Sequence, residues 1–176
     1  LDDLAPEVRT ALRSETLNEF AGLGRTAASA ARKAITSLLS DGDDRLASHG
    51  ERDRVVVAAA DAVAGMPFAI GDYTDFYASE HHATNVGSMF RPDNPLMPNW
   101  KHLPVGYHGR ASSVIESGRA IRRPHGQTVG PDGPPPAHGP VRLLDYELEM
   151  GFFIGAGSEL GTPVSVDRAL DHVFGL

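Results

Sequence analysis

Between Leu144 and Met150 polar and apolar residues alternate without a break, Leu-Asp-Tyr-Glu-Leu-Glu-Met, and the mostly apolar run Gly151 to Gly155 follows. A period of two places every second side chain on one face of a strand. The pattern therefore predicts a strand that carries Asp145, Glu147 and Glu149 in a row, about 6 to 7 Å apart from neighbour to neighbour. It also predicts that the strand runs on into a core, with Glu149 close to buried surroundings. Upstream the period changes. Residues 1 to about 65 read as helical: Thr16 and Glu19 have capping-box spacing, and Phe20, Ala27, Ala28, Ala31, Ile35, Leu38 and Leu39 recur at helical intervals up to the stop signal Ser40-Asp41-Gly42. Gly22 and Gly24 are expected to break this helix early. Strand-like composition follows around Phe68 to Tyr77, and residues 80–90 read as a short helix. Residues 112–124 read as a hairpin turning at Ser117-Gly118, residues 126–140 as an exposed Pro/Gly loop, and a helix opens at Ser165 and is still running at the last residue.

Aligned carboxylates repel one another, and burial raises their pKa values unless a cation compensates. The acidic row thus needs either water or a metal, and the donors would suit a hard cation such as Ca²⁺, Mg²⁺ or Mn²⁺. Composition narrows the rest. The 176 residues carry a formal net charge of -7, and the one dense basic cluster is Arg119, Arg122 and Arg123; this argues against a general nucleic-acid binder, since phosphate contacts need clustered Lys and Arg. No apolar run approaches the roughly 18 to 20 residues of a membrane span. The absence of cysteine excludes disulfides, thiolate metal sites and cysteine nucleophiles, and fits a cytoplasmic setting.

Chemistry concentrates between Asp72 and Arg110, which hold four of the eight histidines, three of the four tyrosines and the single tryptophan among Gly, Pro and Asn. Such a mixture reads as loops held in place to present side chains. Asp72 and Asp75, His81 and His82, and Arg91 offer a metal ligand, a general base and an anion clamp. Tyr107, among Pro104, Gly106 and Gly109, offers a phenolic hydroxyl to a ligand or packs as an aromatic loop residue.

The runs IGDYTDFYASEHHATNVGSMFR, LMPNWKHLPVGYHGRASS and RLLDYELEMGFF resemble the fumarylacetoacetase family, in its order and at nearly its spacing, and TLNEFAGLGRTA is similar to its helical region. Lys101 stands where the family often has Leu. The resemblance covers most of the chain from about Thr16 onward. It implies an α+β fold: a strand-rich catalytic domain of the rolled β-sandwich type, residues 67–176 and truncated, preceded by residues 1–66 as the helical trailing part of an N-terminal domain and linker. It implies a hydrolase that cleaves 4-fumarylacetoacetate to fumarate and acetoacetate, the last step of phenylalanine and tyrosine catabolism, with Ca²⁺ and Mg²⁺ as cofactors and a homodimer as the assembly.

Carried over residue by residue, the resemblance makes Asp75, Glu147 and Glu149 metal ligands and His82 the catalytic base, whereas His81 falls where the family varies. Tyr77, Arg91 and Tyr107 become substrate contacts; Asp145 is part of the motif without being a ligand. The family continues beyond the last run into a segment with another carboxylate ligand, an arginine and a glutamine, then a lysine and the glutamate that orients the histidine. The 176 residues are therefore expected to hold about half of an active site and to be inactive alone. Two other readings stay open: another metal-dependent oxo-acid hydrolase, isomerase or decarboxylase of the same superfamily, and a non-catalytic truncated fragment.

Overall fold

The computed structural model describes residues 2–48, 50 and 52–176. Along the chain the helices are α1 (Pro6–Ala11), α2 (Asn18–Gly22), α3 (Gly24–Leu39), α4 (Arg45–Ser48), α5 (Arg52–Val55), α6 (Glu80–Phe90) and α7 (Ala169–His172). The strands are β1 (Thr74–Phe76), β2 (Gly106–His108), β3 (His125–Gly130), β4 (Gly133–Pro140), β5 (Phe153–Ile154) and β6 (Val173–Gly175). They form three two-stranded antiparallel sheets, β1-β2, β3-β4 and β5-β6. The architecture is α+β, as the resemblance implied. Among the described residues, no helix is long and apolar enough to cross a membrane.

The chain divides into two compact units, residues 1–68 with 116–176, and residues 69–115. In the first, the core gathers Leu4, Val8 and Ala11 from the first helix and the residues before it, Phe20 from α2 and Ala31 from α3. Phe174 of β6 packs against this cluster, edge-on to Phe20 with ring centroids 5.7 Å apart and to Phe68 at 5.6 Å, while Phe68 stacks on Phe153 of β5 at 4.2 Å. Gly155 follows β5 where a Cβ would lie 2.7 Å from the Ala21 carbonyl oxygen, so only glycine lets the two backbones meet this closely. The N-terminal helices thus share one core with the β5-β6 pair.

Several local expectations hold. The helix breaks at Leu23, and Gly24 takes φ +81°, open to glycine at no steric cost; α3 ends at Ser40, as the stop signal predicts. Others are corrected. Thr16 and Glu19 form no capping box, because Ser14 Oγ donates to Glu19 Oε2 at 2.8 Å and α2 carries no side-chain cap. The apolar stripe of α3 is covered only in part: Ala34 packs against the core and Leu38 is half-buried, while Ile35 and Leu39 are exposed. The helix expected after Ser165 is a 3-10 turn, Val166–Arg168, followed by α7, which stops at His172 as the chain extends into β6. Ser117-Gly118 is a turn, with Gly118 at φ +91°, but no strands flank it.

The largest corrections concern strands. The expected Pro/Gly loop is the longest hairpin among the described residues, β3-β4, turning at Pro131-Asp132. The Val141 N–H donates to the Pro124 carbonyl, so the 125↔140 pair is a non-hydrogen-bonded one and Pro140, with Pro136 four residues before it, turns its nitrogen away from the ladder. A single-neighbour strand has no use for donors on that side. Conversely, residues 144–152 form no strand, and β5 begins only at Phe153. Glu147, Leu148 and Glu149 are all exposed, so Glu149 does not lie near buried surroundings.

Candidate active site

The unit of residues 69–115 carries Asp75, Tyr77, His82, Arg91 and Tyr107. Its frame is the β1-β2 ladder, in which Thr74 faces His108, Asp75 faces Tyr107 and Phe76 faces Gly106. Backbone bonds extend the pairing at both ends, from the Tyr77 N–H to the Val105 carbonyl at 2.8 Å and from the Gly109 N–H to the Tyr73 carbonyl at 3.4 Å. Gly106 is required here, since a Cβ would stand 2.5 Å from the Asp75 carbonyl oxygen.

Alternation puts Tyr73, Asp75 and Tyr77 on one face of the extended chain. Tyr107 comes from across the ladder to meet the middle one. Both phenols, Tyr73 at 3.0 Å and Tyr107 at 2.8 Å, donate to the same Asp75 oxygen, Oδ2. Hydroxyls bonded to a carboxylate are stronger than neutral pairs and fix its orientation. Arg110 lies over the Tyr107 ring, 5.8 Å from its centroid. At the start of β1, Asp72 Oδ1 accepts from the Tyr73 backbone N–H at 2.9 Å and stands 3.1 Å from His108 Nδ1.

After β1 the chain turns into α6. Ser79 caps it, accepting from the His82 backbone N–H at 3.3 Å, and Glu80 adds an acid to the first turn, where the helix dipole favours one. Lys101 holds Glu80 at 2.8 Å, and the Lys101 ammonium keeps this carboxyl below its ordinary range. His82 therefore sits in the first turn of a capped helix, exposed, with its ring edge-on to Tyr77 at a centroid distance of 5.5 Å. The Tyr77 hydroxyl donates to the Ala83 carbonyl at 3.2 Å, and Trp100 Nε1 donates to the Tyr77 carbonyl at 2.9 Å. The helix buries Ala83 and Gly87 and ends at Arg91 before Pro92. Gly87 lies so close to the Pro95 carbonyl that a Cβ would stand 2.1 Å from its oxygen. Arg91 Nη2 donates to that same carbonyl at 3.0 Å.

The structure thus brings together Asp75 with Tyr107, and Tyr77 with His82, and places Arg91 at the far end of the helix that begins with His82. Glu147 and Glu149 belong to the other unit, in the exposed segment before β5. Among the described residues, no group of three or more His, Asp or Glu side chains is gathered to hold a metal ion. The donor chemistry nonetheless suits a hard cation: Asp75 is a carboxylate held through one oxygen, and Oδ1 is the oxygen that neither phenol engages. Sequence reasoning missed Tyr73 as a partner of Asp75, although its position two residues before Asp75 was the signal. Nothing in the linear pattern placed Tyr107 opposite.

Two family models match the chain. One, Fumarylacetoacetate (FAA) hydrolase C-terminal, covers residues 72–176, which include every one of these side chains; the other, Fumarylacetoacetase N-terminal, covers residues 1–67. The chain belongs to the fumarylacetoacetate hydrolase family. Curated fumarylacetoacetases are similar throughout: that of Bos taurus is 55% identical over 163 residues, 92% of this chain and 39% of its own length. That of Homo sapiens is 53% identical over the same shares, and that of Caenorhabditis elegans 53% over 93% of this chain and 40% of its own. The chain therefore spans about two fifths of the length of the family members it matches.

Proposed function

We propose that the protein carrying this chain hydrolyses 4-fumarylacetoacetate to fumarate and acetoacetate, in the breakdown of phenylalanine and tyrosine, as a cytoplasmic homodimer. The observation that carries the reading is the constellation on one ladder and its helix: Asp75 oriented by two phenols, His82 in the first turn of α6 against Tyr77, and Arg91 at the end of α6. Family membership supports it.

Splitting a carbon-carbon bond between two carbonyls with water needs an activated water and a place for the electron pair of the broken bond. His82 is proposed to take the proton from water, since histidine changes charge near neutral pH. The hydroxide oxygen then bonds to the attacked carbonyl carbon, the adjacent carbon-carbon bond breaks, and the acetoacetate carbon leaves as an enolate that takes up a proton. Asp75, Glu147 and Glu149 are the carboxylates proposed to hold Ca²⁺ or Mg²⁺, and such a cation, when bound, polarises carbonyl oxygens and offsets developing negative charge. Arg91 would grip a substrate carboxylate through paired N–H donors, releasing the Pro95 carbonyl to do so. Tyr77 and Tyr107 would orient the substrate, which converts binding into effective concentration at the reacting carbon.

The test is fumarate release from 4-fumarylacetoacetate by the protein carrying this chain at its relatives' length, with and without a chelator. Release that stops on chelation and returns with Mg²⁺ supports the reading; an unchanged rate with chelator removes the cation from it. No release with any divalent ion present removes the reaction itself.

A further inference from the structure

Two phenol donors fill the acceptor sites of one carboxylate oxygen, and the two donors are not equivalent. Tyr73 is half-buried and belongs to the same extended stretch as Asp75, two residues away, so its hydroxyl reaches Oδ2 along the strand. Tyr107 is 53% exposed, reaches the same oxygen from across the ladder, and has a cation over its ring. A phenol has one proton to donate. While the Tyr107 hydroxyl donates to Asp75 it gives no hydrogen bond to a substrate oxygen, and when it turns to a substrate it leaves Oδ2. The terminal torsion of an aspartate is soft and nearly two-fold, so a carboxylate held by no donor turns readily. Tyr73 is the donor that stays.

We propose that Tyr73 is a positioning residue: its hydroxyl holds Asp75 Oδ2 so that Oδ1 keeps its direction when Tyr107 is drawn to a substrate. The inference rests on the reading of Asp75 as a ligand of a divalent cation. Groups that hold a ligand carboxylate are worth roughly 10- to 100-fold in metal affinity. Removing the Tyr73 hydroxyl is therefore expected to weaken cation binding, whereas removing that of Tyr107 is expected to act mainly on substrate.

The experiment compares Tyr73→Phe, Tyr107→Phe and the double variant in the protein carrying this chain at its relatives' length. The Mg²⁺ dissociation constant is measured by titration calorimetry, KM and kcat by fumarate release, and the thermal midpoint of the metal-free protein by calorimetry. Tyr73→Phe is expected to raise the Mg²⁺ dissociation constant about tenfold with an unchanged metal-free midpoint, and Tyr107→Phe to raise KM with a smaller effect on Mg²⁺. The double variant should lose about the product of the single losses in Mg²⁺ affinity, because each hydroxyl makes its own bond to Oδ2 when no substrate is present. A dissociation constant within twofold of wild type for Tyr73→Phe overturns the proposal, as does a rise that only accompanies a lower midpoint. If the wild-type protein binds neither Mg²⁺ nor Ca²⁺, the functional reading fails, and the hold on Asp75 is then decided by the ¹³C resonance of its carboxyl carbon. A resonance moved by Tyr73→Phe upholds Tyr73 as the holder of Asp75, and an unmoved one overturns it.

Discussion

Residues 72–110 and residues 142–152 both carry carboxylates assigned to function, and they are built in opposite ways. Asp75 sits in a paired ladder, its backbone engaged through Tyr107 across from it and its side chain held by two hydroxyls. Glu147 and Glu149 sit on an exposed segment whose flanking Leu148 and Tyr146 are 100% and 92% exposed. The first region has its geometry from local partners: a cap on α6, a glycine at each close approach, an indole bonded to a carbonyl. The second has side-chain alternation without a neighbouring strand. Precise chemistry is therefore expected to depend on the first region at many positions, and on the second only at its carboxylates.

The largest test of that contrast is His82→Ala in the protein carrying this chain at its relatives' length, which should lower kcat by about 10²- to 10⁴-fold while leaving bound divalent metal unchanged by elemental analysis. Normal turnover would sink the base assignment. Glu149→Ala should instead lower metal occupancy in the same analysis with the secondary structure unchanged by circular dichroism; full occupancy would remove the acidic segment as a ligand source. Gly106→Ala brings a methyl to 2.5 Å from the Asp75 backbone oxygen, where no flexible side chain can yield. It should cost about 1–3 kcal/mol in denaturant unfolding, and a neutral result would mean that the ladder opens without penalty.

Smaller effects follow at the surface. The hydrogen bond from Lys101 keeps the Glu80 carboxyl below the ordinary carboxylate range, so the folded state binds a proton here less readily than the unfolded chain. The stabilisation is complete above the unfolded pKa and is lost as pH falls through the folded one. Glu80→Gln should thus lower the thermal midpoint slightly at pH 7, and the gap should close in acid; a gap that persists there assigns the effect to something other than the ion pair. Asp43 behaves alike, with Arg45 drawing its pKa to about 2. Last, Leu148→Ser in this chain should change stability by under about 0.5 kcal/mol, because the side chain is wholly exposed. A larger loss would show that the segment is packed after all, and would erase the contrast.

Much of the helical structure near the site was legible. The reading of residues 80–90 as a short helix matches α6, whose Ser79 cap, first-turn Glu80 and end at Arg91 all act within a few residues. The chemistry-rich stretch was legible too, by composition and resemblance. The contacts inside it were not: nothing linear says that position 107 faces position 75, or that Trp100 Nε1 meets the Tyr77 carbonyl. The same gap explains the errors over strands. Pro136 and Pro140 read as loop because proline cannot donate, yet their nitrogens face outward from β4, where no donor is used. Leu144 to Met150 read as strand because the side-chain period was right, yet among the described residues no strand pairs with it.

By itself, then, the sequence determined the features set within one turn or a few residues: the break at Leu23-Gly24, the end of α3, the bounds of α6, and the family. Tertiary structure alone decided which stretches became strands, that Phe174 joins a core with Phe20 and Phe68, and that the Tyr107 hydroxyl donates a hydrogen bond to Asp75. A helix closes its hydrogen bonds within its own residues, so local signals suffice. A strand closes them with a distant partner, and a carboxylate is held by whatever that partner brings opposite it.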